Sequence, residues 1–184
     1  LEVGPLRDDG FHELDTNFLS IGLHDLLTFS LKEEGVDFSC DDPSLPIDDS
    51  NLVVKAAKLF FEKSDFQKGI AINLQKNIPV AAGLGGGSSN AAVTLMALNS
   101  LTNNPLSITQ LSSLAAELGS DVPYFLIGGH TRGQGRGEIL TPLPEPEEMN
   151  ILLIIPDFGI SAGEAYREFD LTKRDKIGDI SGLS

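Results

Sequence analysis

The residues that could do chemistry are concentrated in one segment, Pro79 to Ser89, in which four of the five residues from Gly83 to Gly87 are glycine. Glycine lets backbone N–H groups turn toward an anion and lets a bulky ligand approach the chain. A predicted helix follows, and its start offers unpaired N–H groups and about half a positive charge. Ser88 and Ser89 add hydroxyl donors. The sequence therefore predicts a phosphate-binding loop that needs no Lys or Arg.

The spacing excludes the commonest phosphate-binding motifs. A Walker A motif needs a Lys after its last glycine, and residues 77–116 contain none. A dinucleotide fingerprint that starts at Gly83 needs a third glycine where Ser88 stands, and an acid where Asn103 and Asn104 stand. No G-x-S-x-G elbow occurs in the loop. A flexible glycine hinge or a tight packing turn is the alternative to a phosphate site.

Asp121 is a lone acid in an apolar segment, Leu118 to Phe125. One interpretation is structural: Asp121 caps a short helix that has Pro123 just inside it. The other is catalytic, because a carboxylate near a phosphate loop can take a proton from an attacking hydroxyl, an effect worth about 10² to 10⁴ in rate. Phosphoryl transfer otherwise requires positioning and charge neutralisation, usually with Mg²⁺. The residues alone leave both interpretations open.

The formal net charge of −14 is unevenly distributed. Residues 1–50 carry 13 acidic and 2 basic side chains, whereas the forty residues 77–116 carry no charge. The acid excess argues against nucleic acid or an anionic membrane as a partner. A buried core segment would explain part of the uncharged stretch, and an anion held by dipoles would explain the rest. The single cysteine, Cys40, indicates a reducing compartment, so we expect a cytoplasmic protein without a leader or a membrane span.

The coarse pattern of elements is that of an α+β protein, with no strict alternation of strands and helices. Apolar periodicity and capping residues predict four helices, over 51–64 after Ser50, 88–101, 107–119, and from Ser161 through Phe169. We expect one or two strands in 21–31, a half-buried strand over 70–74, a hairpin over 131–141 and a central strand over 151–155. The segment 41–49 reads as a loop, and the tail after Lys173 as loose.

The motifs together are similar to those of the GHMP kinase superfamily. The match consists of P-x-A-A-G-L-G-G-G-S-S-N-A-A at 79–92, L-G-S-D-V-P-Y-F at 118–125 and R-x-D-G-F-H at 7–12. The segments 7–12 and 135–138 narrow the resemblance to the branch that phosphorylates a cytidine diphosphate conjugate of methylerythritol, in the non-mevalonate route to isoprenoids. The resemblance implies an N-terminal GHMP lobe of the ribosomal protein S5 domain 2-like kind, with a mixed or antiparallel sheet packed with helices.

The resemblance also implies a role for each matching position, with ATP and Mg²⁺ as the cofactors and no predicted metal ligand. Asp121 would be the base that acts on the 2-hydroxyl of the substrate. Phe11 and His12 would recognise the cytosine, and Tyr166 would close over it. The residues expected around ATP are Asn51, Leu52, Lys76, Pro79, Val80, Ala81, Ala82, Gly83, Leu84, Gly85, Gly86, Gly87, Ser88 and Ser89.

Two departures from the family pattern shape the expected organisation. The family begins with a strand that carries a Lys at the transferring phosphate, and it ends with a second lobe; neither is found in these 184 residues. We therefore expect residues 1–170 to be the ATP-binding domain and 171–184 to begin the connection to the second lobe. The piece by itself would have little or no activity. A bacterial cytoplasm or, for a plant protein, the plastid stroma would suit it.

Three alternatives stay open at this point. The chain could belong to another GHMP small-molecule kinase that acts on a sugar, homoserine or a mevalonate-like alcohol. It could be a nucleotide-binding sensor that kept the fold and lost the chemistry. It could also be a plain α+β interaction domain, which would leave the glycine loop unexplained.

Overall fold

The computed structural model describes residues 1–156 and 159–171, so the predictions for the tail lie outside the described residues. The chain runs through seven strands and five helices in this part. The strands are β1 Glu2–Leu6, β2 His12–Leu19, β3 Leu26–Lys32, β4 Val36–Cys40, β5 Gly69–Gln75, β6 His130–Gly135 and β7 Ile139–Pro142. The helices are α1 Leu52–Ser64, α2 Gly86–Leu101, α3 Ile108–Leu118, α4 Tyr124–Ile127 and α5 Ala162–Leu171.

The strands form two sheets. One is antiparallel with the order β1-β2-β6-β7, and it pairs strands from the first and the last third of the chain. The other is mixed with the order β3-β5-β4: β5 pairs antiparallel with β3 and parallel with β4. Helix α1 makes the crossover that a parallel pair requires. This is the predicted α+β class, with antiparallel and mixed sheets packed with helices.

The core lies where α1, α2 and α3 pack on β5. Phe60 of α1, Ile70 and Ile72 of β5, and Leu95 and Leu98 of α2 are all at most 2% exposed. Helix α2 lies within the uncharged stretch, and its buried residues include small ones that let the neighbouring helices approach. The expectation that this stretch is partly core is therefore confirmed. None of the described helices is long and apolar enough to cross a membrane.

Most predicted elements are present, but some boundaries differ. Helix α1 is capped by Asn51, not Ser50: the Asn51 side chain accepts a hydrogen bond from the Val53 N–H at 2.9 Å. Helix α2 begins at Gly86, two residues before the predicted start at Ser88, because glycines are compatible with a first helical turn. The predicted cap of α3 at Ser107 and its stop at Gly119 are confirmed, and the structure adds Gln110 as the partner of Ser107 in a capping box. The capping pair of α5 is also confirmed, with Ser161 N–H donating to Glu164 at 3.0 Å.

The prediction of a central strand over residues 151–155 is wrong. These residues belong to no sheet, and Leu152 and Ile154 are 84% and 85% exposed. The aliphatic run has the composition of a buried strand, but no described strand pairs with it.

Candidate active site

The glycine loop has the backbone shape of an anion-binding turn. Ala81, Gly83 and Gly85 have φ values of 56°, 70° and 67°. Each of these residues therefore adopts a left-handed backbone conformation before α2 begins. The first hydrogen bond of the helix runs from the Ser89 N–H to the Gly85 carbonyl at 2.8 Å. The N–H groups of Gly86, Gly87 and Ser88 precede it and have no acceptor among the described residues. These donors at the positive end of a 16-residue helix suit a phosphate.

Close packing explains why the position before the helix is glycine. A Cβ atom on Gly85 would lie 2.7 Å from Cζ of Phe125, and the φ of Gly85 is left-handed. The loop therefore lies against the segment that follows Asp121, as the two sequence motifs require if they serve one site.

The loop forms the wall of a cavity of about 370 Å³, which we call the nucleotide cavity. Of the fourteen residues expected around ATP, thirteen line it. The exception is Ser89, which faces a neighbouring cavity of about 400 Å³ together with Asp121. The thirteen are Asn51, Leu52, Lys76, Pro79, Val80, Ala81, Ala82, Gly83, Leu84, Gly85, Gly86, Gly87 and Ser88.

Two residues of this wall already use their polar groups within the protein. Besides capping α1, Asn51 donates from its amide to the Pro46 carbonyl at 2.8 Å. Lys76 has a side chain only 7% exposed, and its Nζ lies 3.0 Å from Oδ2 of Asp25 and also donates to the Ile78 carbonyl. Among the described residues, the nucleotide cavity therefore has no unpaired cation in its wall, and phosphate would be held by backbone dipoles.

A second cavity of about 530 Å³, the acceptor cavity, adjoins the first, and Leu52 and Ser88 line both. The four residues that the sequence assigned to the substrate and to catalysis meet in its wall: Phe11, His12, Asp121 and Tyr166. They come from positions far apart in the chain, namely the start of β2, the turn before α4, and α5. The structure thus brings the predicted substrate residues together beside the predicted phosphate loop.

An aromatic cluster organises the acceptor cavity. The rings of His12 and Tyr166 are stacked, with centroids 5.5 Å apart and planes at 15°. His12 is buried; its Nδ1 lies 2.9 Å from the Gly4 carbonyl, and its Nε2 lies 3.1 Å from Oδ1 of Asp170. The carbonyl can only accept, so Nδ1 donates in that contact. The guanidinium of Arg136 lies 4.9 Å from the centroid of the Phe11 ring. Flat rings and a fixed imidazole suit a heterocyclic base.

Asp121 caps no helix, and its surroundings raise its pKa. The cap position of α4 is Pro123, with no side-chain hydrogen bond, and Asp121 accepts no hydrogen bond from a described residue. The residue as a whole is exposed, but neighbouring protein atoms partly shield the carboxylate from water, and this partial burial raises the pKa of Asp121. The pKa of Tyr166 is also raised, first by burial and then by the charge of Asp121. The capping interpretation therefore has no support in the geometry.

One residue of the site was not found from the sequence. Asp25 has a side chain only 1% exposed and contacts Lys76, the backbone after it, and Asn90 of α2. Its partners lie 51 to 65 positions away in the sequence, and the neighbouring residues belong to no recognisable motif. The available signal was a single acid between two apolar runs, which is also typical of a surface turn.

The described residues contain no group of three or more His, Cys, Asp or Glu side chains that could hold a metal ion.

The fold and the site define a GHMP kinase N-terminal domain. Residues 51–129 match the family model described as "GHMP kinases N terminal domain". Curated relatives named "4-diphosphocytidyl-2-C-methyl-D-erythritol kinase" include one from Desulfitobacterium hafniense, 45% identical over 99% of this chain and 62% of the relative. Another, from Clostridium botulinum, is 40% identical over 94% of this chain and 62% of the relative. The chain spans less than two thirds of the length of these relatives.

Solved structures agree with this assignment. A crystal structure of 4-(cytidine 5'-diphospho)-2C-methyl-D-erythritol kinase superimposes with a TM-score of 0.69 at 41% identity, over 78% of this chain and 51% of that one. A homoserine kinase from Cytophaga hutchinsonii superimposes with a TM-score of 0.60 at 22% identity, over 87% of this chain and 57% of that one. At this identity the homoserine kinase supports the fold alone.

Proposed function

We propose that this chain is the ATP-binding part of a kinase that phosphorylates the 2-hydroxyl of 4-diphosphocytidyl-2-C-methyl-D-erythritol, in the non-mevalonate route to isoprenoids. The observation that carries the proposal is the pair of adjoining cavities. One has the free N–H groups of a helix start, the other has aromatic rings and a desolvated carboxylate, and Leu52 and Ser88 line both. The name shared by the relatives supports the choice of substrate.

Each cavity has a distinct task in this proposal. The N–H groups of Gly86, Gly87 and Ser88 hold the phosphates of ATP. Phe11, His12 and Tyr166 hold the cytosine, which leaves the erythritol part of the acceptor to reach Asp121. Because Phe11, His12 and Tyr166 keep the acceptor in one orientation, its 2-hydroxyl oxygen lies beside the terminal phosphate of ATP before the reaction starts.

Asp121 acts as the general base. It accepts the proton of the 2-hydroxyl as that oxygen bonds to the terminal phosphorus and the phosphorus–oxygen bond to ADP breaks. The products are the 2-phosphate and ADP. Burial raises the pKa of Asp121, which makes its carboxylate a stronger base than that of an unperturbed aspartate.

Mg²⁺ belongs to the proposal as an ion bound mainly by the nucleotide. It would neutralise charge on the phosphates, which the dipole-lined loop does only in part. Ser88 lines both cavities, and its hydroxyl would be one protein group able to contact the ion.

The proposed unit is residues 1–170, and the proposed location is the bacterial cytoplasm. Cys40 has no disulfide partner among the described residues, in keeping with a reducing compartment.

The test measures ADP release by the protein at its full natural length. We expect release to be stimulated by the cytidyl substrate and not by galactose, homoserine or mevalonate. A response to one of the last three in place of the cytidyl compound would favour the alternative of another GHMP kinase. Nucleotide binding with no acceptor that stimulates release would favour a sensor.

A further inference from the structure

The carboxylate of Asp25 is the most heavily bonded side chain beside the phosphate loop. It lies between β2 and β3 and is almost fully buried. Its Oδ1 accepts hydrogen bonds from the N–H groups of Asn77 and Ile78, both at 2.7 Å, and its Oδ2 accepts from the Asn90 amide at 2.8 Å. Nζ of Lys76 lies 3.1 Å from Oδ1 and 3.0 Å from Oδ2.

These donors stand at the two ends of the glycine loop. Residues 76–78 directly precede Pro79, where the loop begins, and Asn90 follows Ser89, where it ends. Asn90 is 3% exposed and belongs to the second turn of α2. One carboxylate therefore ties the exit of β5 to the helix whose first N–H groups face the nucleotide cavity.

The charge of Asp25 is held in place by its partners. Burial by itself raises the pKa of a carboxyl group, but the hydrogen bonds from Ile78, Asn77, Asn90 and Lys76 outweigh it, and the pKa of Asp25 lies below its usual value. A buried ion pair adds little net stability compared with apolar residues of the same size. Fixing the geometry of the loop is a task that apolar residues could not perform, because they would leave the backbone donors unpaired.

We propose that Asp25 is the positioning residue of the phosphate loop. By accepting from residues 76–78 and from Asn90 at once, it fixes the distance between the ends of the loop. It thereby sets the direction in which the N–H groups of Gly86, Gly87 and Ser88 point. It also neutralises Lys76, so that the nucleotide is bound by dipoles. The role of Asp25 rests on the proposed function in one respect, namely that the ligand of the loop is a nucleotide.

The main test compares two double variants in the full-length protein, Asp25→Asn/Lys76→Gln and Asp25→Ala/Lys76→Gln. Both lack the buried charges, and both have the same change at Lys76. They differ only at position 25, where the asparagine side chain keeps the size of aspartate and an oxygen that can accept from Asn77 and Ile78, whereas the alanine side chain has neither. We expect the alanine variant to bind Mg·ADP about tenfold more weakly than the asparagine variant by calorimetry, the size expected when buried donors lose their acceptor.

The kinetic readout separates positioning from general stability. In Asp25→Asn alone we expect the KM for ATP to rise about tenfold, with the KM for the acceptor changed less than about twofold. The matched control is Asp41→Asn, because Oδ1 of Asp41 accepts from the Lys76 N–H at 2.8 Å but the residue is exposed and contacts neither the ammonium nor α2. Its KM values should stay near those of the unmodified protein.

The outcomes are distinguishable. Equal affinity of the two double variants for Mg·ADP would overturn the role of Asp25, as would equal increases in both KM values for Asp25→Asn. An unmodified protein that binds Mg·ADP but is not stimulated by the cytidyl substrate would overturn the proposed acceptor and leave the role of Asp25 standing. An unmodified protein that binds no nucleotide would overturn both.

Discussion

Asp25 and Asp121 are two aspartates near the phosphate loop whose pKa values are shifted in opposite directions. Asp25 accepts several hydrogen bonds, which lower its pKa, whereas Asp121 accepts none from the described residues and its pKa is raised by burial. The difference follows from the donors, not from the side chain itself. A carboxylate saturated with donors is suited to holding a structure, and a desolvated one without donors is suited to taking a proton.

The role of Asp121 as a base predicts the effect of Asp121→Asn. The amide keeps the shape but cannot accept the proton, so we expect turnover to fall by about 10² or more. The KM for ATP should change little, because the phosphates are held by the loop. Steady-state kinetics of the full-length protein with the cytidyl acceptor measure both. Glu117→Gln, at an exposed position near the end of α3, is the control, and near-normal turnover of Asp121→Asn would remove the base from the mechanism.

The raised pKa of Asp121 predicts a pH dependence. A base works only when ionised, so kcat/KM should fall as the pH is lowered through the pKa of Asp121. Because burial raises that pKa, the acid limb should lie above the value of about 4 that is usual for an aspartate. The pH profile of kcat/KM for the cytidyl acceptor measures it. An acid limb at the same pH in Asp121→Asn would assign it to another group.

The lowered pKa of Asp25 predicts that its carboxylate stabilises the folded protein at neutral pH and that this contribution is lost in acid. Its contribution is complete above the unfolded-state pKa of about 3.9 and is lost as the pH falls through the lower folded-state pKa. Urea unfolding from about pH 6 downward should therefore show a steeper loss of stability below about pH 4 in the unmodified protein than in Asp25→Asn/Lys76→Gln. Equal slopes would mean that Asp25 is not ionised in the folded protein.

At the scale of elements, the glycine loop and the start of α2 work as one unit. The loop turns the chain so that the N–H groups of the first helical turn face the nucleotide cavity, and its glycines are needed where side chains would collide. At Gly86 a Cβ would lie 3.1 Å from Cγ2 of Ile78, so a larger side chain must displace the segment that Asp25 holds. The shape of the phosphate site thus depends on both the loop and β5.

This predicts that Gly86→Val abolishes binding of Mg·ADP, because the branched side chain both collides with Ile78 and obstructs the helix start. Gly22→Val is the matched control: no atom lies within 4 Å of a Cβ built at Gly22, and its φ is not left-handed. Calorimetric titration with Mg·ADP distinguishes the two. Unchanged affinity in Gly86→Val would place the phosphates elsewhere, whereas lost affinity in Gly22→Val would point to a general effect on the fold.

The same scale shows what the sequence could predict. The capping pair Ser161–Glu164 could be predicted because its partners are three residues apart, and Ser107 could be predicted as a cap from its place before an apolar run. The glycine loop and the helix after it could also be predicted, because the residues that define them are adjacent in the sequence. Strands β1, β2 and β4 were not predicted. Strand β2 pairs with β6 across as many as 121 positions, as between Leu14 and Gly135, and nothing near β2 in the sequence reveals that partner. The role of Asp25 could not be predicted for the same physical reason, because its hydrogen-bond donors lie far from it in the sequence.

At the scale of the whole molecule, the net charge of −14 and an anionic ligand are compatible because charge and site are separated. The charge-free segment 77–116 supplies the loop, the helix behind it and much of the core. Its buried polar side chains are satisfied: Thr94 donates to the Asn90 carbonyl at 2.7 Å, and Asn99 donates to the Leu106 carbonyl at 3.0 Å. Local dipoles, and not the overall field, therefore decide what binds there.

The aliphatic run Ile151–Ile155 is exposed, and it pairs with no strand among the described residues. Exposure alternates along it: Leu152 and Ile154 point outward, while Leu153 is 37% exposed and lines a cavity with Ile21 and Leu23. Exposed strand-forming residues that pair with no strand of their own chain are prone to pair with another chain. The isolated 184-residue chain should therefore self-associate through this run.

Replacing the outward side chains tests this. Leu152→Ser/Ile154→Thr should reduce self-association in sedimentation experiments at rising concentration and leave the thermal midpoint nearly unchanged, because the two side chains are more than four fifths exposed. Leu95→Ala, in the buried core of α2, should instead cost about 2–5 kcal/mol and lower the midpoint. Should the double variant lose stability as Leu95→Ala does, the run would be packed and not exposed. If the double variant keeps both its stability and its self-association, the associating surface lies elsewhere. Polar side chains at positions 152 and 154 should weaken any association that depends on this aliphatic run.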